Sequence, residues 1–224
     1  MNKILEQAQN IKNDIVEYRR TIHENPEVGD TLPKTKAYVI NKLREFGYEQ
    51  TEICESGIVA TIEGPKPGKT FLLRADMDAL PMEETPNCEF AATNGAMHSC
   101  GHDMHTAMLL GAAIIFKSKE SELGGTLKLV FQPSEEKRPG GARLLLPHLL
   151  EPPVPKAIFG QHVFPGLPVG QIGIRPGAFF ASSDNIIFAV EGKGTHAAMP
   201  QLGSDPILDA EALIQFYQTI IHKF

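Results

Sequence analysis

Met97–Ala107 reads MHSCGHDMHTA and runs directly into the apolar segment AMLLGAAIIF. Three imidazoles, one thiol and one carboxylate therefore stand at the head of what reads as a buried helix. That junction requires a core to cover the helix. Thiolate and imidazole donors at such short spacing suit Zn²⁺ or a similar first-row ion. Gly101 lets the backbone turn tightly between Cys100 and His102. Orphan N–H groups and the dipole at a helix N-terminus favour anions, so the Cys100 pKa is expected to fall toward the thiolate. The plainer reading is a polar loop that caps a core helix and leaves its histidines at the surface.

The chain has 224 residues, room for one large domain or one and a half. A net charge of −6 and a pI near 5.8 do not suggest a nucleic-acid footprint. No apolar stretch reaches the roughly 18–20 residues of a membrane span. The opening MNKILEQAQNIKNDIVEYRR is amphipathic and has no signal-peptide core. With only Cys54, Cys88 and Cys100, a disulfide framework is not expected and the cytoplasm is the default location.

Helical spacing of apolar residues predicts a helix from the N-terminus to about Glu24, stopping before Pro26. His23 and Glu27 are candidate functional residues there, with a helix-end turn the plainer reading. A second helix is predicted from Pro33 to about Gly47. TEIC, IVATIEG and FLLRADM read as strands, and Asp76 and Asp78 close the last of them. After the Cys/His cluster and its helix, TLKLVFQ is a strand ending in Pro133-Ser134-Glu135-Glu136. A short helix (GGARLLL), a Pro-rich connection, the strand AIFGQHV ending at His162 and a further strand GQIGIRPG follow. The alternation argues an α/β fold with a largely parallel sheet. Ligands of such sheets gather outside the carboxyl ends of the strands. That rule brings Asp76/Asp78, Glu135/Glu136, His162 and the Cys100/His102 loop to one rim. Past Ala181 the texture changes to strand, loop and helix, too little to bury much core. We therefore expect a first domain over residues 1–181 and the beginning of a second over 182–224.

RADMDALPMEE, AMHSCGHDMHTAMLLGAA, LVFQPSEE, FGQHVFP and GKGTHAAMP occur in this order between about Arg19 and Ala212. With them the chain resembles the N-acyl-amino-acid amidohydrolases. These form the hippurate hydrolase, auxin-conjugate hydrolase and N-acetyl-diaminopimelate deacetylase branch of the aminoacylase/carboxypeptidase metallopeptidases. The resemblance implies a three-layer, zinc-exopeptidase-like catalytic domain carrying two divalent ions (Zn, or Mn, Co or Ni). It also implies a small ferredoxin-like dimerisation (lid) domain, a homodimer or higher assembly, and a small N-acyl amino acid as substrate. Residue by residue, it makes Cys100 the bridging ligand, His102, Glu136 and His162 further ligands, and Glu135 the general base. It makes Asp78 the carboxylate that orients the site, and His196 an oxyanion-stabilising histidine that reaches a partner subunit's site. Asp76 stands where distant relatives carry a metal histidine. His98 and His105 are left as supporting residues, with a surface or capping role the plainer reading.

This chain departs from the family in carrying Gly194-Thr195-His196 for Gly-Gly-His and Pro200-Gln201 for Pro-His. Family members also continue well beyond residue 224 and draw their last metal histidine from that later chain. His222 sits in no matching motif. Two readings follow. One is a metal-dependent amidohydrolase that cleaves N-acyl amino acids or peptide-like amides with activated water. The other is a non-catalytic metal-binding module lacking that last ligand.

Overall fold

A computed structural model describes residues 3–85, 88–180 and 185–221. The chain divides into two compact units, Met1–Val169 and Gly170–Phe224. The boundary expected between residues 181 and 182 lies outside the described residues, as does His222.

In the first unit the amphipathic N-terminal segment forms two helices, α1 (Lys3–Asn10) and α2 (Lys12–His23), in place of the single one expected. The next helix, α3 (Pro33–Glu45), starts on Pro33, and the chain leaves it through Gly47 at φ +81°. Glu27 caps α3 from outside: its carboxylate accepts the backbone N–H groups of Lys34 (3.1 Å) and Thr35 (2.8 Å).

The strands are β1 (Gln50–Ile53), β2 (Gly57–Glu63), β3 (Lys66–Asp76), β4 (Gly124–Gln132) and β5 (Ala157–Gly160), in the order β1-β2-β4-β3-β5. β4, β3 and β5 are mutually parallel, whereas β2 and β1 are antiparallel additions, so the sheet is mixed. The three-residue connection from β1 to β2 leaves those two strands no choice but a hairpin. β4 inserts between β2 and β3, and glycine makes room for it. A Cβ on Gly68 would lie 2.5 Å from the Gly124 carbonyl carbon, and one on Gly125 (φ +87°) 2.2 Å from the Lys69 oxygen.

Period-two alternation sorts the strand side chains onto two faces. Ile58, Ala60, Ile62, Ala75, Leu127, Leu129 and Phe131 join the larger core with Val39, Leu43, Leu109 and Leu110. The last two belong to α4 (His102–Ser118), the apolar helix that follows the Cys/His cluster. Each fully buried Leu or Ile there contributes about 1.5–3 kcal/mol. Val59, Leu72 and Val130 face the other way, against Leu145 of α5 (Gly141–Leu149). Helices thus cover both faces of the sheet, one of them only by the short α5.

AIFGQHV is not the buried strand expected. β5 stops at Gly160 and is the sheet edge, bonded to β3 alone, with Ile158 62% and Phe159 58% exposed. GQIGIRPG forms no strand, and neither do the described residues of SSDNIIFAV, because no neighbouring strand offers them a ladder. In the second unit a bridge joins Lys193 to Ser204. Helix α6 (Pro206–Ile221) is capped by the Asp205 carboxylate, which accepts the Ile207 N–H at 2.9 Å. None of the described residues of this unit is buried. No helix among the described residues is long and apolar enough to cross a membrane.

Candidate metal centre

Because β3, β4 and β5 are parallel, the chain leaves all three at the same rim. Two residues past β3 stands Asp78, three past β4 stands Glu135, and two past β5 stands His162. α4 begins at the same rim with His102, directly after the left-handed Gly101. A Cβ at Gly101 would lie 2.4 Å from Val163 Cγ2, so glycine there lets the Cys100 loop and the His162 loop approach each other.

His102 is fully buried, and its Nδ1–H donates to the Asp78 backbone carbonyl at 2.8 Å. That bond places a proton on Nδ1 and turns Nε2 toward the rim, 3.5 Å from Asp76 Oδ2 and without a hydrogen-bond partner. Glu136 Oε1, likewise buried and without a partner, is 3.8 Å from it, and Glu135 Oε2 is 4.0 Å away. His162 repeats the pattern. Its Nδ1–H donates to the Val163 carbonyl at 2.7 Å, and its Nε2 faces Cys100 Sγ at 3.4 Å. Ligand atoms of Cys100, His102 and His162 all lie within 4.8 Å of one another, and so do those of His102, Glu135 and Glu136. Buried lone pairs with no donor opposite them are costly unless a cation or proton completes them. Thiol, imidazole and carboxylate converging at this spacing fit first-row divalent ions.

The thiol corrects one expectation. Burial, the Glu136 hydrogen bond and the charges of Glu136, Glu135 and Asp76 push the Cys100 pKa up to about 12. The helix N-terminus does not make a thiolate against three carboxylates. A cation held among these groups would reverse that balance.

Asp78 is buried, and its carboxylate accepts two consecutive backbone N–H groups, Glu135 at 2.9 Å and Glu136 at 3.0 Å. The turn it grips is strained, since Ser134 has φ +55°. His196 belongs to the second unit, is exposed, and accepts the Ala198 N–H on Nδ1 at 3.1 Å.

His98 and His105 are not surface residues: they are 4% and 2% exposed. Burial pushes the His98 pKa down to about 4. His105 Nδ1 bonds Asp76 at 2.6 Å, and Arg74 Nη1 reaches the other Asp76 oxygen at 2.6 Å. Burial alone would raise the Asp76 pKa, but those two partners hold it far below the usual carboxylate range.

A second buried network was missed at His23. Its Nδ1 meets Asp103 at 2.8 Å and its Nε2 meets Glu84 at 3.0 Å, while Arg19 Nε donates to Asp103 at 2.7 Å. The signal available was Arg19 and His23 four apart on one helix face. The Asp103 hydrogen bond raises the His23 pKa against burial, and Glu84 raises it further. The stabilisation from this imidazolium is therefore full below its ordinary value of about 6.5 and is lost as pH rises through the higher folded value. His23→Gln should lower the melting temperature most near pH 6 and progressively less toward pH 9. A deficit that stays constant across that range contradicts the charged assignment.

Comparison with known proteins follows the same lines. The profile of peptidase family M20/M25/M40 matches residues 72–224. The N-acetylcysteine deacetylase of Bacillus subtilis (strain 168) is 38% identical over 215 residues, covering 93% of this chain and 55% of that protein. The N-acyl-L-amino acid amidohydrolase of Geobacillus stearothermophilus is 37% identical over 216 residues, covering 96% and 58%. The crystal structure of the Bacillus subtilis YXEP protein, a dinuclear metal-binding peptidase from the M20 family, superposes with a TM-score of 0.70. It is 37% identical and the match covers 75% of this chain and 47% of that one. The chain spans about half the length of the curated relatives it matches.

Proposed function

The chain belongs to peptidase family M20/M25/M40, and from that premise we propose that it carries the metal-binding rim of an amidohydrolase acting on N-acyl amino acids. The observation that carries the proposal is His102 Nε2, buried, without a hydrogen-bond partner and common to the Cys100/His162 and the Glu135/Glu136 groupings. Cys100, His102, Glu136 and His162 are the side chains among the described residues that would hold the ions. Two divalent ions, Zn²⁺ or Mn²⁺, Co²⁺ or Ni²⁺, would supply Lewis acidity toward the acyl carbonyl and the attacking water when bound. Glu135, its side chain 44% exposed at the rim, takes the proton released by that water and delivers it to the amine as the C–N bond breaks. Asp78 holds Glu135 and Glu136 by their backbone. His196 stabilises the oxyanion, and the second unit begins a dimerisation domain through which two copies associate. Three free cysteines agree with a cytoplasmic location. The named activities of the relatives support this reading over a non-catalytic metal-binding module.

Metal-loaded protein should hold two ions per chain and release free amino acid from N-acetyl or N-benzoyl amino acids. Dialysis against a chelator should abolish that release. Full turnover by metal-free protein overturns the proposal. One ion with no turnover assigns the chain to the metal-binding module, and no ion at all overturns the proposal.

A further inference from the structure

Asp76, His102 and His105 also bring their ligand atoms within 4.8 Å of one another, as a third ion site would. The atoms that Asp76 and His105 would offer are already hydrogen-bonded. Asp76 Oδ1 accepts the His105 Nδ1–H at 2.6 Å, and Asp76 Oδ2 accepts Arg74 Nη1 at 2.6 Å. His105 Nε2 accepts the backbone N–H of Val163 at 2.9 Å. Each of these atoms of His105 and Asp76 therefore already has a protein partner, unlike His102 Nε2. We propose that Asp76 and His105 are positioning residues that hold His162 in place through the Val163 backbone. This rests on the reading of His162 as a metal ligand.

The chain of bonds has a firm origin and a loose end. Arg74 lies within β3, and its Nε donates to Gln132 Oε1, at the end of β4, at 2.9 Å. Thr106 Oγ1 donates to the Asp76 carbonyl at 2.9 Å and ties α4 to the same point. At the far end, β5 stops at Gly160, so no strand ladder holds residues 161–164. The Val163 N–H bond to His105 supplies the missing anchor directly after His162. The His105 ring also packs edge-on against the His162 ring, with centroids 4.5 Å apart at 71°. His162 can therefore keep its Nε2 aimed at Cys100 although its own strand is an exposed edge. A histidine with both nitrogens bonded, one to a carboxylate and one to a backbone amide, is suited to such a role because only one tautomer satisfies both.

The full chain tests this with two substitutions of similar volume. His105→Gln can place an amide oxygen near the Nε2 position and accept the Val163 N–H, whereas His105→Leu fills the space and accepts nothing. In metal-free protein, amide exchange at Val163 should accelerate about fivefold to tenfold in the Leu variant and stay near wild type in the Gln variant. In calorimetric titration with Mn²⁺ or Zn²⁺, the Leu variant should lose about 10–100-fold in affinity for one of two ions. Arg74→Met, at a partly exposed side chain, should shift Val163 exchange in the same direction by a smaller factor and keeps the test valid if His105→Leu does not fold. Unchanged Val163 exchange in both His105→Leu and Arg74→Met overturns the proposal, as does a Gln variant that exchanges as fast as the Leu variant. The exchange measurement needs no ion. A wild-type chain that binds no metal yet shows the expected exchange pattern removes the proposed function and leaves the positioning role standing.

Discussion

Glu135→Gln is expected to lower kcat by about 10²–10⁴-fold while the ions, the melting temperature and KM stay near wild type. The backbone of residue 135 is held by Asp78 through its N–H at 2.9 Å, and that bond does not involve the Glu135 side chain. The carboxylate itself is 44% exposed and 4.0 Å from His102 Nε2, so replacing it by an amide of the same shape removes no packing. What it removes is the capacity to accept a proton. Glu136 provides the contrast. Its Oε1 is buried, has no partner, and lies 3.8 Å from His102 Nε2. Glu136→Gln should therefore lower ion content first and turnover as a consequence. Metal analysis by plasma emission together with kcat and KM on an N-acetyl amino acid separates the two variants. Wild-type turnover by fully loaded Glu135→Gln excludes Glu135 as the proton acceptor.

What could be read in the chain before its fold was known follows from the range of the forces involved. The LKLVFQ run of β4 and the Asp at the end of β3 are local signals, and parallel strands send their carboxyl ends to one rim whatever their order. The gathering of Asp78, Glu135, Glu136, Cys100, His102 and His162 is therefore legible in the sequence. The insertion of β4 between β2 and β3 is not, because it depends on close backbone approach at Gly68 and Gly125. His105 was misjudged because its partners lie far off in the chain, Asp76 at 29 residues and Val163 at 58. Local spacing carries no trace of such pairs. The Cys100 expectation failed for a different reason. It rests on the helix dipole, a local term, without the burial of the thiol and the carboxylates that the fold delivers from β3 and β4. The exposure of β5 likewise depends on what lies beside it, not on its own apolar composition.

Asp78→Asn is expected to cost about 10–100-fold in metal affinity or in kcat at full metal loading, with about 1–3 kcal/mol of stability lost. Asp78 is 1% exposed and does three things at once. Its two carboxylate oxygens accept the N–H groups of Glu135 and Glu136. Its backbone carbonyl accepts the His102 Nδ1–H, and its Oδ1 lies 3.5 Å from the same nitrogen. The carbonyl contact survives substitution, so His102 keeps its tautomer. The carboxylate contacts do not both survive. Asparagine has one acceptor oxygen, and its NH₂ must then face a backbone N–H, donor against donor. One of residues 135 and 136 is released. The Ser134 turn, held at φ +55° against its own preference, is then free to relax. The released residue decides the signature. Freeing Glu136 lowers ion affinity, and freeing Glu135 lowers kcat at full loading. Either way the loss exceeds what an isosteric change at a buried but uninvolved carboxylate would produce. Asp78→Glu is expected to rescue poorly, because the extra methylene pushes the carboxylate out of register with the two amides at a buried position. Measured ion affinity, kcat and denaturation midpoint all at wild-type values in Asp78→Asn contradict the assignment of this carboxylate as the clamp on the Glu135-Glu136 turn.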